Sequence, residues 1–289
     1  MKVNLNGVIV PKEQAVVSVF DHGLLYGDGV FEGIRVYKSN VFRLEDHIIR
    51  LYNSAKYIML NIPITPKEMI KEVVRTVKAN NVKDGYIRLV VTRGPGDLGL
   101  DPAKCPKAFY FIIASAITLY PDEFYEKGLS IITVPTRRNL SESVNPQVKS
   151  LNYLNNILAK IEAKNHGSLE AVMMNQAGFV SEATGDNIFI AKDGVLYTPS
   201  LDCGGLNGIT RRTVIEIARG LKIKVVENLL TRYELYTADE CFLTGTAAKL
   251  IPVVKIDNRE IGDGVPGTMT GKLSSEFMKL TPKLGVKVK

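Results

Sequence analysis

The stretch whose reading decides the fold is KSLNYLNNILAK, residues 149–160. It follows a loop containing Asn145-Pro146, and Leu151, Leu154, Ile157, Leu158 and Ile161 recur in it at helical spacing. That spacing predicts a helix opening here, with Lys149 just outside its first turn. A lysine at such a junction is ordinarily a solvated charge, because unpaired buried lysines are rare. The alternative is an amine held in a pocket, where it can attack the carbonyl carbon of an aldehyde. Two features favour the second reading. Tyr153 lies four residues on, and the run GFVSEATGDNIF, residues 178–189, sets the carboxylate of Glu182 among small residues beside a strand.

The remainder of the chain bounds the answer. Its 289 residues exceed what a single core ordinarily organises, so two domains are expected. Apolar content of 45% with 23% charged residues is that of a globular protein and argues against disorder. The 37 Lys and Arg exceed the 30 Asp and Glu by seven, yet they are dispersed, which suits small anionic ligands and speaks against nucleic acid. Cys105, Cys203 and Cys241 have no CxxC spacing and are expected as free thiols. The first residues lack an apolar signal core and no apolar run reaches membrane-spanning length, so a cytoplasmic protein without membrane association is expected.

Along the chain, Asn6-Gly7 marks a hairpin within residues 2–10, and a second hairpin is expected from Val30 to Phe42, turning at Lys38-Ser39-Asn40. A helix over Glu45–Leu60 would turn Ile48, Leu51, Ala55, Ile58 and Met59 inward. Thr65-Pro66-Lys67-Glu68 reads as a capping box that opens a helix to about Asn80. Buried strands follow at 86–92 and 108–116. The expectation is an α+β protein of two domains: a small α+β domain over 1–117, a linker over 118–128 and a large domain over 129–289. In the large domain the pattern predicts strands at 129–134 and 170–174, a hairpin at Lys192-Asp193-Gly194, a helix after Gly208-Ile209-Thr210 to about Arg219, strands at 223–226, 240–243 and 251–256, and a closing helix over 268–278.

Three separated pieces could hold one phosphate. Arg50 projects from the first long helix. Gly208-Ile209-Thr210 sits at a helix start, where free amides and the positive end of the helix dipole favour an anion. Thr244-Gly245-Thr246-Ala247-Ala248 offers hydroxyls and amides on a short turn. Taken in order with residues 20–37 (FDHGLLYGDGVFEGIRVY), 149–164, 178–189, 208–211 (GITR) and 243–253 (LTGTAAKLIPV), they give a chain that resembles the fold-type IV, class IV aminotransferases over essentially its whole length. Within that family it looks like a branched-chain amino-acid aminotransferase.

The resemblance implies pyridoxal 5′-phosphate as cofactor and no metal. Lys149 would bond to the cofactor aldehyde and shuttle the proton between substrate Cα and cofactor C4′. Glu182 would pair with the pyridine nitrogen so that the ring can accept electrons, and Tyr153 would hydrogen-bond the phenolic oxygen. Arg50, Ile209, Thr210 and Thr246 would bind the phosphate, Leu206 would pack on the ring, and Gly185 would permit close approach. The chemistry agrees: an amine that attacks a carbonyl must be partly neutral near pH 7, whereas lysine ordinarily titrates near ~10.4.

For substrate, the resemblance assigns Tyr86 and Arg88 on a small-domain strand, Phe31 as an aromatic wall, and Gly245 and Ala247 on the turn. Tyr26 would come from the neighbouring subunit of a homodimer or higher homo-oligomer, and Leu98 and Leu100 would reach across the same interface. The D-amino-acid branch of the family carries Arg and His in that loop, where this chain has two leucines. L-branched-chain amino acids and 2-oxo acids are therefore the expected substrates; a D-amino-acid aminotransferase and a lyase such as aminodeoxychorismate lyase are the alternatives. Two departures stand out: Cys203-Gly204-Gly205 is glycine-rich, so a looser loop is expected before Leu206, and Lys249 follows the turn where an acidic residue is common.

Overall fold

The structure, a computed structural model, describes residues 1–117 and 120–288. The chain divides into two compact units. One comprises Met1–Ile117, Val148–Asn152 and Leu280–Lys289; the other comprises Thr118–Gln147 and Tyr153–Lys279.

The first unit opens with β1 (Lys2–Leu5) and β2 (Val8–Pro11), joined at Asn6 and Gly7, whose positive φ values of 47° and 87° give the hairpin turn read from the sequence. A short helix α1 (His22–Tyr26) precedes β3 (Gly29–Tyr37) and β4 (Asn40–Phe42), which turn at Lys38 and Ser39, also at positive φ. Helices α2 (Leu44–Tyr57) and α3 (Pro66–Ala79) follow, then β5 (Gly85–Thr92) and β6 (Phe109–Ser115). A last strand, β16 (Gly285–Lys287), completes an antiparallel sheet in the order β16-β4-β3-β5-β6-β1-β2.

Period-two alternation gives this sheet two faces. Ile34, Val36, Ile87, Leu89, Val91 and Ile112 face Leu44, Ile48, Leu51 and Ala55 of α2 and Met69, Val73 and Val77 of α3. Thr65 caps α3: its Oγ1 accepts from the Glu68 amide, and Glu68 accepts from the Thr65 amide in return. Such a cap stabilises by about 1 kcal/mol. One inward assignment fails here. Met59 is exposed, because α2 ends at Tyr57 and Met59 turns into the left-handed region at φ 53°.

At the start of the second unit the sequence predicts a plain linker. Residues 118 and 119 of that linker lie outside the described residues, and the rest carries a short helix, α4 (Glu123–Lys127). Its charges mask two aromatic anchors: Phe124 and Tyr125 pack on the core, and the Tyr125 hydroxyl donates to Ala248 O at 3.1 Å. The chain continues through β7 (Leu129–Thr133), α5 (Leu154–Asn165), β8 (Ala171–Met174), β9 (Val180–Ala183), β10 (Asn187–Lys192) and β11 (Val195–Pro199). Then come α6 (Ile209–Gly220), β12 (Val225–Asn228), α7 (Arg232–Tyr236), β13 (Glu240–Gly245), β14 (Lys249–Ile256), β15 (Arg259–Glu260) and α8 (Thr268–Leu280).

The main strands run in the order β12-β11-β10-β13-β14-β7-β8-β9, mixing parallel and antiparallel pairs, with β15 beside β14. Ile188, Ile190, Cys241 and Leu243 enter one core from β10 and β13. On the opposite face of the same strands Phe189 stacks on its register partner Phe242, with centroids 5.0 Å apart.

The helix predicted around Lys149 starts later than its apolar spacing suggests. Tyr153 is the N-cap of α5, and the helix buries Asn156, Ala159 and Ala163, while Leu154, Ile157, Leu158 and Ile161 are about half exposed or more. The apolar stripe is therefore the outer face of α5 within this chain, and small residues make the inner one.

Candidate active site

In the first unit, Lys149 lies on an extended segment beside β3. Its carbonyl accepts from the Phe31 amide at 3.0 Å, Ser150 bridges Val30, and Leu151 N donates to Gly29 O at 2.9 Å. The Lys149 amide donates to Ser54 Oγ on α2 at 3.2 Å. Lys149 is thus fixed by two neighbouring elements before any helix begins. Its Nζ stands 4.6 Å from the centroid of the buried Phe31 ring, and the Arg88 guanidinium carbon stands 4.5 Å from the same centroid.

Arg88 reaches that ring because β3 and β5 pair with Gly33 opposite Arg88 and Arg35 opposite Tyr86. Phe31, Tyr86 and Arg88 therefore share the face turned away from α2 and α3, as the alternation in β5 predicts. Gly33 is required there: a Cβ would lie 1.9 Å from the Tyr86 hydroxyl oxygen. Arg88 also lies over the Tyr86 ring at 5.6 Å, an arrangement in which cation and ring quadrupole attract.

The other face of β3 carries a residue the sequence reading missed. Glu32 shares the inward register with Ile34 and Val36 and is fully buried. Its Oε1 accepts from Arg50 Nε at 2.7 Å, and its Oε2 accepts from Arg50 Nη2 at 2.8 Å and from His47 Nδ1 at 2.7 Å. Burial alone would raise the Glu32 pKa, but the Arg50 and His47 contacts outweigh it and hold the carboxyl at about 2. Burial lowers the His47 pKa against the opposing pull of Glu32, and Nδ1 is the donor because an ionised carboxylate can only accept. An acid in an inward strand position demands such partners, and that was the available signal.

The loop residues of this unit are more open. Leu98 and Leu100 are 62% and 81% exposed, and the Gly99 amide donates to the hydroxyl of Tyr26, itself exposed, at 3.0 Å.

In the second unit, β9 presents the buried Glu182. Three segments supply its donors: Arg138 Nε reaches Oε1 at 2.9 Å, while the Leu206 amide reaches Oε2 at 2.8 Å and Asn187 Nδ2 reaches it at 3.3 Å. Arg138 is in turn held by Asn155 and Asn156 of α5, each at 3.2 Å, which places Tyr153 at the cap of the helix that braces Glu182's partner. Neither Arg138 nor Asn187 was read from the sequence; the pair Arg137-Arg138 just after a strand was the only hint.

Asn187 ties the remaining pieces together. It pairs with Thr244 across β10 and β13, and its Nδ2 donates to Leu206 O at 2.9 Å. A Cβ on Gly208 would meet Asn187 Oδ1 at 2.1 Å, and one on Gly205 would meet Glu182 Oε2 at 3.6 Å. One expectation changes accordingly. The loop at Cys203-Gly204-Gly205 is buried and packed against Glu182 rather than loose. Close approach of the protein's own atoms is made at Gly208, while a Cβ on Gly185 would meet nothing within 4 Å.

Gly208 caps α6 without a side chain, so Ile209 and Thr210 begin the helix with amides that no side chain caps. Thr244 Oγ1 is buried and has no hydrogen-bond partner among the described residues. The following turn, Gly245, Thr246 and Ala247, is half-buried; Lys249, at φ 60°, carries its Nζ 5.3 Å from the Tyr125 ring centroid. Uncapped amides and a spare hydroxyl are what an anion needs.

The profile of the amino-transferase class IV family matches residues 29–256. A relative from Methanocaldococcus jannaschii, provisionally named a branched-chain-amino-acid aminotransferase, is 54% identical over 100% of this chain and 99% of its own. The crystal structure of the Escherichia coli branched-chain amino acid aminotransferase superposes with a TM-score of 0.95 at 35% identity, covering 97% of this chain and 94% of that one. The T.th. enzyme of the same name, solved with pyridoxamine 5′-phosphate, gives a TM-score of 0.93 at 37% identity, over 97% of this chain and 93% of that one.

Proposed function

The chain belongs to the amino-transferase class IV family, and on that premise we propose that it is a pyridoxal-phosphate-dependent transaminase of L-branched-chain amino acids, with 2-oxoglutarate as amino acceptor. The observation that carries this reading is the buried Glu182 carboxylate, oriented by Arg138, Leu206 N and Asn187.

The residues fit the cofactor. Thr244 Oγ1 has a hydrogen bond to give, and the first amides of α6 suit a phosphate dianion. When bound, pyridoxal 5′-phosphate supplies an electron sink for the Cα–H bond of an amino acid. Arg50, Ile209, Thr210 and Thr246 would hold its phosphate, Leu206 would bear on the ring, Gly185 would permit close approach, and Tyr153 would donate to the phenolic oxygen. Glu182 would accept from the pyridine N–H; with three protein donors placed, a carboxylate has an acceptor position left. Lys149 Nζ would take the proton from substrate Cα, its backbone held by Phe31 and Ser54.

On the substrate side, the family pattern assigns Phe31 and Tyr86 of the first unit and Gly245 and Ala247 of the second, and Arg88 serves the distal carboxylate of glutamate and 2-oxoglutarate. Leu98 and Leu100 give an apolar loop in place of a D-specific carboxylate clamp. Their exposure, and that of Tyr26 and the α5 stripe, supports a homodimer in which these side chains are covered by the partner. The enzyme works in the cytoplasm, a reading supported by three free cysteines. Among the described residues no helix is long and apolar enough to cross a membrane.

The test is to supply L-leucine and D-alanine separately with 2-oxoglutarate. Glutamate formed from L-leucine and not from D-alanine supports the proposal. The reverse preference, or pyruvate released with no amino acceptor, contradicts it.

A further inference from the structure

We propose that Glu32, with His47, is a positioning residue for the cofactor phosphate: it fixes the Arg50 fork in its binding orientation before the phosphate arrives. The inference rests on the assignment of Arg50 to the phosphate and deepens it.

A guanidinium carries five N–H donors in a rigid plane. Glu32 engages the Nε and Nη2 edge of Arg50 with both carboxylate oxygens, at 2.7 and 2.8 Å. That two-point contact fixes the plane as well as the position of the guanidinium. Glu32 cannot swing away, because Oε2 also accepts from His47 Nδ1, and His47 and Arg50 sit three residues apart on α2. Strand and helix thus hold one arginine between them.

Stability alone does not account for the arrangement, although removing one member of the pair is costly. A buried ion pair roughly breaks even against apolar residues of the same volume, since desolvation offsets attraction. Orientation is what it does supply. An unbraced arginine loses rotamer freedom when it binds a phosphate, whereas here that loss is taken in folding. The expected effect on phosphate binding is about three- to tenfold in affinity.

The role separates from a merely structural one by comparing two ligands that differ in the phosphate alone. The purified full-length protein is dialysed to equilibrium against graded pyridoxal 5′-phosphate and, in parallel, against pyridoxal. Glu32→Gln is expected to weaken pyridoxal 5′-phosphate about three- to tenfold while leaving pyridoxal within about twofold. Glu32→Asp keeps the charge but is too short to span the Arg50 edge, so it should show the same selective loss even if the glutamine variant does not fold. Equal losses for both ligands in the folded variants, or none for either, overturn the proposal. Arg50→Met keeps the underlying assignment separate: if that variant shows no selective loss of pyridoxal 5′-phosphate, the placement of the phosphate at Arg50 is itself wrong.

Discussion

Arg138 Nε donates to Glu182 Oε1 at 2.9 Å, and both side chains are buried. The carboxylate is thereby aimed by a residue on a segment with no motif of its own. Glu182→Gln removes the charge while keeping the shape. A charge-assisted hydrogen bond is worth about 1.5–3 kcal/mol, so the chemical step should slow by about ten- to a hundredfold. Cofactor binding should change less, because the full charge on the ring develops during the reaction. Single-turnover rates with L-leucine measure this, and an unchanged rate would remove Glu182 from its assigned role.

Arg88 and Tyr86 project from one face of β5 with Phe31 from β3. One pocket must accept an aliphatic side chain in one half-reaction and a carboxylate in the other. Arg88→Leu is expected to raise the KM for 2-oxoglutarate at least about tenfold more than that for L-leucine, the loss of one buried charge-assisted contact. Equal losses for the two substrates would mean that Arg88 only supports the sheet.

Acid should unfold the first unit through Glu32. Its folded-state pKa of about 2 lies below its ordinary value of 4.5. The stabilisation is therefore fully present above pH 4.5 and is lost as the pH falls toward 2. A shift of that size amounts to roughly 3 kcal/mol. Urea titrations of wild type and Glu32→Gln across this range should converge at the acid end; curves that stay parallel would show that Glu32 is not the group responsible.

Asp186 carries the opposite sign. Burial first, then the nearby Glu170, raises its pKa well above the ordinary carboxylate range, and the Tyr120 hydroxyl lies 3.4 Å from Oδ2. The folded state then keeps a proton that the unfolded chain releases, so stability falls as pH rises through the raised value. Asp186→Asn should raise the Tm at about pH 8 and give little gain at about pH 4, with a benefit on the order of 1–3 kcal/mol. A variant no more stable than wild type at the alkaline end would contradict this.

Local signals were legible wherever a few adjacent residues decide the geometry. Asn6-Gly7, Lys192-Asp193-Gly194 and the Thr65 capping box each form the turn or cap their chemistry dictates. The motifs around Lys149 and Glu182 and the three pieces proposed to hold a phosphate stood out because their order matched a long pattern. What failed depended on the solvent side of an element. The stripe Leu154, Ile157, Leu158 and Ile161 has the periodicity of an inward face, yet Asn156, Ala159 and Ala163 are the residues α5 buries. Periodicity finds a helix and cannot say which surface covers its apolar side. Glu32, His47, Arg138 and Asn187 escaped for a different reason: each has a partner well separated in sequence, such as Glu182 for Arg138, 44 residues away, and Leu206 for Asn187, 19 away.

The most direct measurement is turnover of L-leucine with 2-oxoglutarate by Lys149→Ala, alongside its thermal unfolding. Lys149 is the one amine assigned both to bond the cofactor aldehyde and to move the Cα proton, and its backbone is held by Phe31 and Ser54 independently of its side chain. The account predicts a folded protein with a Tm close to that of wild type and turnover reduced by about two to four orders of magnitude, the size of a lost proton-transfer group. Turnover near the wild-type rate by the folded variant would contradict it.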